Sequence, residues 1–187
     1  GKILEAYLQD IETIKDKIKK IEFRHKELTK GKWESKYAKL IYESGKIEIV
    51  DYDSSAFLRG FAHGLFFRTS CSECPFASIE RVSDLTIGDC WGVEKELPQL
   101  DVHQGVSLLL VNTEKGKILI ENIKNFMELY PLSVETAVLG NARLRNPDKG
   151  HRNRQDFLEQ LDGVSFEKLV QQYVPRISKI RKIGSAV

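Results

Sequence analysis

All three cysteines of this chain of 187 residues fall in one stretch, RTSCSECPFASIERVSDLTIGDCWG, running from Arg68 to Gly92: Cys71, Cys74 and Cys90. An odd count, with two of the three in a CxxC, does not make a disulfide frame; it suits metal or redox work in a reducing compartment. The fold must then rest on a hydrophobic core, and a chain of this length buries roughly 70% of its unfolded surface without staples. Hydrophobic residues make up 41% and charged residues 30%, with 29 Lys and Arg against 27 Asp and Glu, which reads as a soluble, nearly neutral single domain. Such a balance argues against a general nucleic-acid or membrane field. No apolar run approaches the roughly 20 residues of a membrane helix, and the opening GKILEAYLQDIETIKDKIKK carries an amphipathic helix pattern rather than a signal peptide. A cytoplasmic location is expected.

Ile3, Leu4, Tyr7, Leu8, Ile11, Ile14 and Ile18 recur at helical spacing and predict a first helix over Ile3 to Lys19. Strict alternation through WESKYAKLIYE, a Ser-Gly-Lys turn and IEIV predict a β-hairpin. SSAFLRGFAHGLFFR opens on a serine N-cap and carries Phe57, Leu58, Phe61, Leu65 and Phe66 at helical spacing, so a helix delivers the chain to Cys71. SDLTIGD reads as a short strand, Val93 to Gln104 as a loop containing Pro98, and VSLLLVN as a strand buried on both faces. A helix through TEKGKILIENIKNFMEL would cover it. Beyond Tyr130, Pro131, Pro147 and Gly150 break the chain around helices at Arg154 to Leu161 and Phe166 to Tyr173. The expected class is α+β, a mixed β-sheet with flanking helices. The basic end, RISKIRKIG, reads as a solvated terminal helix.

A CxxC turn aims two thiolates the same way, within reach of one metal. Zinc takes four ligands and a 4Fe-4S cluster four thiolates. With seven residues between His63 and Cys71 and 15 between Cys74 and Cys90, a closed Cys3His zinc site can be written from Cys71, Cys74, Cys90 and His63. The spacing is equally compatible with His63 as a surface residue on a helix and Cys90 as a small buried hydrophobe. A thioredoxin-like dithiol wants its CxxC at a helix start after a strand, whereas this one follows a helix and precedes Pro75. Neither a phosphate-cradling glycine loop nor a serine, histidine and acid arrangement stands out.

RTSCSECPF, ERVSDLTIGDCWGVEK and HQGVSLLLVNTEKGK together resemble the C-terminal domain of the coenzyme F420 hydrogenase/dehydrogenase beta-subunit family. IEFRHKELTKGKW is similar to that family's phenylalanine-arginine-x-lysine motif with its following glycine and tryptophan. SSAFLRGFAHGLFFR is similar to the segment leading into its CxxC, and GNARLRNPDKGHRNRQDFLEQL to its late segment. The resemblance spans Ile3 to Leu161.

The resemblance implies an iron-sulfur flavoprotein oxidoreductase: electrons pass between a 4Fe-4S cluster, a flavin such as FAD, and a two-electron carrier such as coenzyme F420, with a redox partner protein or ferredoxin domain alongside. It implies Cys71 and Cys74 as iron ligands and places Gly88, Asp89, Trp91 and Gly92 in a turn close to the cofactors. Gly88 and Gly92 would allow close backbone approach or positive φ, and Trp91 would pack over the cluster or fill the core. Arg24 and Lys26 would contact a phosphate or carboxylate, or stand as strand-end surface charges; Arg143, Arg145, Arg152 and Arg154 carry the same pair of readings. The family carries further cysteine motifs upstream of the region matched here, so residues 1–187 are expected to be a C-terminal domain, a fragment lacking an N-terminal half, inactive by itself. Cys90 departs from the aromatic residue usual at its position. The competing expectations are a non-catalytic zinc-binding or protein-interaction module, and a remnant that binds no metal.

Overall fold

A computed structural model describes residues 1–12, 16–25, 37–103 and 105–177. The chain falls into two compact units. One holds the N-terminal elements to Ser72 together with the chain from Lys149 onward; the other holds Glu73–Asp148.

The first unit opens on α1 (Lys2–Ile11). The helix stops earlier than the sequence pattern suggests, because Glu12 turns extended at φ −82°, ψ 149° and its carboxylate accepts the amide of Ile18 at 2.9 Å. Ile18 and Lys19, expected at the helix end, instead begin strand β1 (Ile18–His25), while Ile14 lies outside the described residues. Pairing with a neighbour overrides helical spacing here: β1 runs antiparallel to β2 (Tyr37–Tyr42), with Ile21 opposite Leu40 and Phe23 opposite Ala38. The expected hairpin links β2 to β3 (Ile47–Asp51) through Gly45 at φ +87°, a value that favours glycine. Alternation sends Ala38, Leu40 and Tyr42 inward.

Ser55 caps α2 (Ala56–Ala62), its hydroxyl accepting the Leu58 amide. The chain then turns through Gly64 into the four-residue α3 (Thr69–Ser72). Two later helices complete the unit, α6 (Arg154–Glu159) and α7 (Phe166–Tyr173). Their apolar faces meet α1 and α2 in a core of Tyr7, Leu65, Phe157, Phe166, Leu169 and Val170. Rings touch throughout it: Tyr7 lies 5.8 Å from Phe166, Phe57 5.4 Å from Phe66, and Phe157 6.0 Å from Phe166. Arg59 threads this core at 2% exposure, its Nε donating to the Val174 carbonyl that ends α7, at 2.9 Å, and its Nη2 to Glu167, at 3.1 Å.

The second unit is built on an antiparallel ribbon, β4 (Leu85–Asp89) with β5 (Ser107–Val111). Helix α4 (Glu114–Ile123) follows β5 as expected, capped by Thr113. Its Gly116 sits where a Cβ would lie 2.3 Å from the Asp84 carbonyl oxygen. The expectation that β5 is buried on both faces does not hold: Leu108 is buried but Val111 is 46% exposed. A ribbon of two strands has too few neighbours to enclose a fully apolar strand. Helix α5 (Val134–Gly140), capped by Ser133, is not foreshadowed by the prolines and glycines around it. The core of this unit is small: Cys90, Val93, Leu108, Ala137 and Leu144.

The α+β class expected from sequence is the one observed, with the strands divided among the described residues between two antiparallel sheets. No described helix is long and apolar enough to cross a membrane. Of the basic end, Arg176 and Ile177 are described; the helix expected there lies otherwise outside the described residues.

Candidate functional site

The approach to Cys71 is held from both sides. Gly64, at φ +69°, comes so near the chain at Gly150 that a Cβ on it would lie 2.9 Å from the Gly150 Cα. The Gly64 carbonyl accepts the His151 amide at 3.0 Å, and Arg154 Nε donates to the Phe67 carbonyl at 2.5 Å. Arg154, one of the four late arginines singled out for anion contact, therefore braces the segment entering α3. Arg143 pairs with Asp148, and Arg145 and Arg152 are exposed.

Cys71 is half-buried on α3, its amide donating to the Arg68 carbonyl at 2.9 Å. It lines a pocket of about 690 Å³ with Arg68 and the rings of Phe57, Phe61, Phe66 and Phe67. The change from the first unit to the second falls between Ser72 and Glu73, inside the CxxC. Cys74, also half-buried, starts a tight loop in which its carbonyl accepts the Ala77 amide at 3.2 Å and Arg81 Nη1 donates to the Phe76 carbonyl. Arg81 Nε is buried with no hydrogen-bond partner among the described residues.

Cys90 differs from the other two. It is 3% exposed in the core of the second unit, its amide bonded to the Val106 carbonyl at 2.9 Å. Burial, with smaller contributions from Glu94 and Glu96, pushes its thiol pKa up and so disfavours the thiolate. A metal ligand must be a thiolate, so the core disfavours Cys90 in that role. His63 is an exposed residue ending α2. Among the described residues no group of three or more His, Cys, Asp or Glu side chains that could hold a metal ion is found.

Gly92 has the positive φ expected, +77°, and leads into a single turn of 3-10 helix over Val93–Lys95. Gly88 sits in β4 without positive φ, and open space surrounds the place its Cβ would take. Asp89 accepts the Asn141 side-chain amide on its carbonyl at 3.0 Å. Trp91 is half-buried and stands outside the buried core; its carbonyl oxygen would lie 1.9 Å from a Cβ on Gly140, so the end of α5 rests directly on the turn. Gly140 and Asn141 thus fix the 88–92 turn, a role with no signal in a single sequence.

Arg24 is exposed and takes φ +57° where the β1 and β2 register shifts between Phe23 and His25. Left-handed backbone at a non-glycine residue is strained and gathers at functional sites. Lys26 and Trp33 lie outside the described residues. Arg24 and Cys71 belong to the first unit, and Cys74, Gly88, Asp89, Trp91 and Gly92 to the second.

The CxxC offers two half-buried thiols, Cys71 beside an aromatic pocket and Cys74 on a tight loop, donors of the type a thiolate-bound metal group takes. No curated protein and no solved structure matches the chain. One family model, describing the carboxyl terminus of the beta subunit of coenzyme F420 hydrogenase/dehydrogenase, matches residues 2–134, which takes in the CxxC, the 88–92 turn and α4 but not the late segment from Gly140. With well over half its length so matched, the chain belongs to the coenzyme F420 hydrogenase/dehydrogenase beta-subunit family, as its C-terminal portion.

Proposed function

We propose that this chain forms part of an iron-sulfur flavoprotein oxidoreductase in which Cys71 and Cys74 supply two of the thiolates of a 4Fe-4S cluster. The observation that carries the reading is the contrast among the three cysteines: the two in the CxxC are half-buried on a short helix and its following loop, while Cys90 is sealed in an apolar core. Such a group would store single electrons, and a flavin beside it would exchange them for the two-electron chemistry of a carrier such as coenzyme F420.

The chain's own residues account for positioning. Arg154 and the Gly64–Gly150 contact fix the entry to Cys71. The rings of Phe57, Phe61, Phe66 and Phe67 line the pocket on one side of it. Gly88, with open space at its Cβ position, leaves room for a flavin or cluster to approach β4, and Asp89, Trp91 and Gly92 form the adjoining turn. Arg24 would meet a phosphate or carboxylate, and Lys26 with it. A redox partner protein or ferredoxin domain and a small-molecule carrier are the partners this chemistry calls for.

The test is a set of single and double substitutions, Cys71→Ser and Cys74→Ser, in the native protein purified without oxygen. Each is expected to lose iron and sulfide while Cys90→Ser keeps both. Retention of iron and sulfide by the Cys71→Ser, Cys74→Ser double variant would refute the ligand assignment. Zinc at one equivalent, lost with any of Cys71, Cys74 or Cys90, would support the zinc-binding module instead.

A further inference from the structure

His151 stands in the turn that leads into α6. Its backbone amide donates to the Gly64 carbonyl at 3.0 Å, and its own carbonyl accepts the Arg154 amide at 3.0 Å. The ring bends back on the same turn, where Nδ1 accepts the Asn153 amide at 3.2 Å. Asn153 is the N-cap of α6 and makes no side-chain capping bond among the described residues, so the imidazole serves the N–H that an N3 carboxylate serves in a capping box. An imidazole accepts on Nδ1 only while neutral, with its proton on Nε2; a second proton lands on Nδ1 and sets donor against donor. The surroundings favour the neutral ring. It is half-buried and meets the Tyr173 ring of α7 edge to face, centroids 6.4 Å apart, while the Tyr173 hydroxyl accepts the Gln160 side-chain amide. The charges that act on it are Arg152, next in the chain, and His63, at the end of α2. Burial first, then these two cations, hold its pKa below the ordinary value. With a lowered folded value, the stabilisation from the neutral ring is present in full above the ordinary value, about pH 6.5, and is lost as pH falls through the folded one.

This turn is tied to the approach to Cys71. Arg154, the first residue of α6, donates its Nε to the Phe67 carbonyl, and Gly64 meets Gly150 backbone to backbone. We infer that His151 is a pH-sensitive latch on the entry to Cys71: the neutral ring holds the start of α6 and, through Arg154 and Gly64, the segment from Gly64 to Arg68, and the protonated ring releases both. The latch is built entirely from the first unit, and it stands whether or not Cys71 carries a metal. Its release is the opening of one turn and the strand of chain braced on it, so it shows in local amide protection rather than in the melting of the whole chain.

The experiment is amide hydrogen exchange read by mass spectrometry on the native protein at about pH 7.5 and about pH 5, corrected for the intrinsic pH dependence of exchange, over residues 64–72 and 151–158. Protection of both segments is expected to fall about fivefold at the lower pH, the scale of one hydrogen bond. His151→Asn separates titration from structure: an asparagine oxygen accepts the amide two residues on in an Asx-turn and does not titrate, so protection is expected to stay high at both pH values. His151→Phe keeps a ring against Tyr173 but offers no acceptor, so protection is expected to be low at both; if that variant does not fold, His151→Asn carries the test by itself. His63→Gln is expected to keep the response to pH. Protection that does not change with pH in the native protein, or that falls equally in His151→Asn, would overturn the inference, as would a response abolished by His63→Gln, which would assign the switch to the other imidazole.

Discussion

Replacing Gly140 with alanine tests how α5 seats the 88–92 turn. In an isolated helix the change would gain about 1 kcal/mol from helix propensity. Here the added Cβ would lie 1.9 Å from the Trp91 carbonyl oxygen and 2.8 Å from its carbon, against 3.4 Å for ordinary contact, so the helix end must retreat by about 1.5 Å from a backbone atom. Overpacking of this kind costs roughly 1–3 kcal/mol. The retreat also stretches the bond from the Asn141 side chain to the Asp89 carbonyl, 3.0 Å long and worth about 1 kcal/mol. With the propensity gain offset, Gly140→Ala is expected to destabilise the chain by about 2 kcal/mol, or about 6 °C for a chain of this size. Urea and thermal unfolding followed by circular dichroism read the loss. Reaction of Cys90 with a thiol reagent, in a Cys71→Ser, Cys74→Ser background, reads it locally, because Ala137 of α5 and Cys90 share a core and the loosened helix exposes the thiol. Gly88→Ala is the matched control: nothing lies within 4 Å of its Cβ position, so it is expected to keep full stability. Gly140→Ala at or above wild-type stability, with Cys90 still unreactive, would refute the seating of α5 on Trp91.

Arg59→Met removes the guanidinium that holds the end of α7 and leaves the Val174 carbonyl without its donor; a loss of about 3 kcal/mol is expected, read by urea unfolding, and a loss under about 1 kcal/mol would show the network to be dispensable. Gly64→Ala forces an unfavourable φ and drives a Cβ to 2.9 Å from the Gly150 Cα, so thermal unfolding is expected to shift down by several degrees. Acid acts on the second unit: hydrogen bonds from Thr136 and Ser133 hold the Glu96 carboxyl below the usual range, and those from Thr113 and Lys115 do the same for Asp84. Lowered folded values mean that this stabilisation is fully present above the ordinary carboxylate range, about pH 4, and is lost as pH falls through the folded values. Melting temperature is therefore expected to hold between pH 7 and 5 and to drop below about pH 4, with a shallower drop in Glu96→Gln; an identical acid profile in that variant would contradict the assignment.

Legibility in the sequence follows the strength of local signals. The hairpin of β2 and β3 shows because its alternation and glycine turn agree with the observed pairing, and α7 because Phe166, Leu169 and Val170 meet the core at helical spacing. The end of α1 is misleading because IETIKDKIKK keeps a helical period while Ile18 to His25 pair with β2, a choice made by a strand more than ten residues away. Helix α5 has a readable start in Ser133 with Glu135 in its first turn, but its seven residues are too short for periodicity to stand out. The CxxC and the 88–92 turn are legible by type and by family resemblance. The arginines are not: Arg154 reads as an anion contact or surface charge yet braces the Phe67 carbonyl, and nothing in the sequence singles out Arg59, because an arginine's partners are set by the folded chain.

The most direct measurement of the central claim is the iron, acid-labile sulfide, zinc and flavin content of the native protein purified without oxygen, read together with its visible absorption spectrum. About four irons and four sulfides with a flavin band are the result this account expects. Stoichiometric zinc without sulfide or flavin would contradict it.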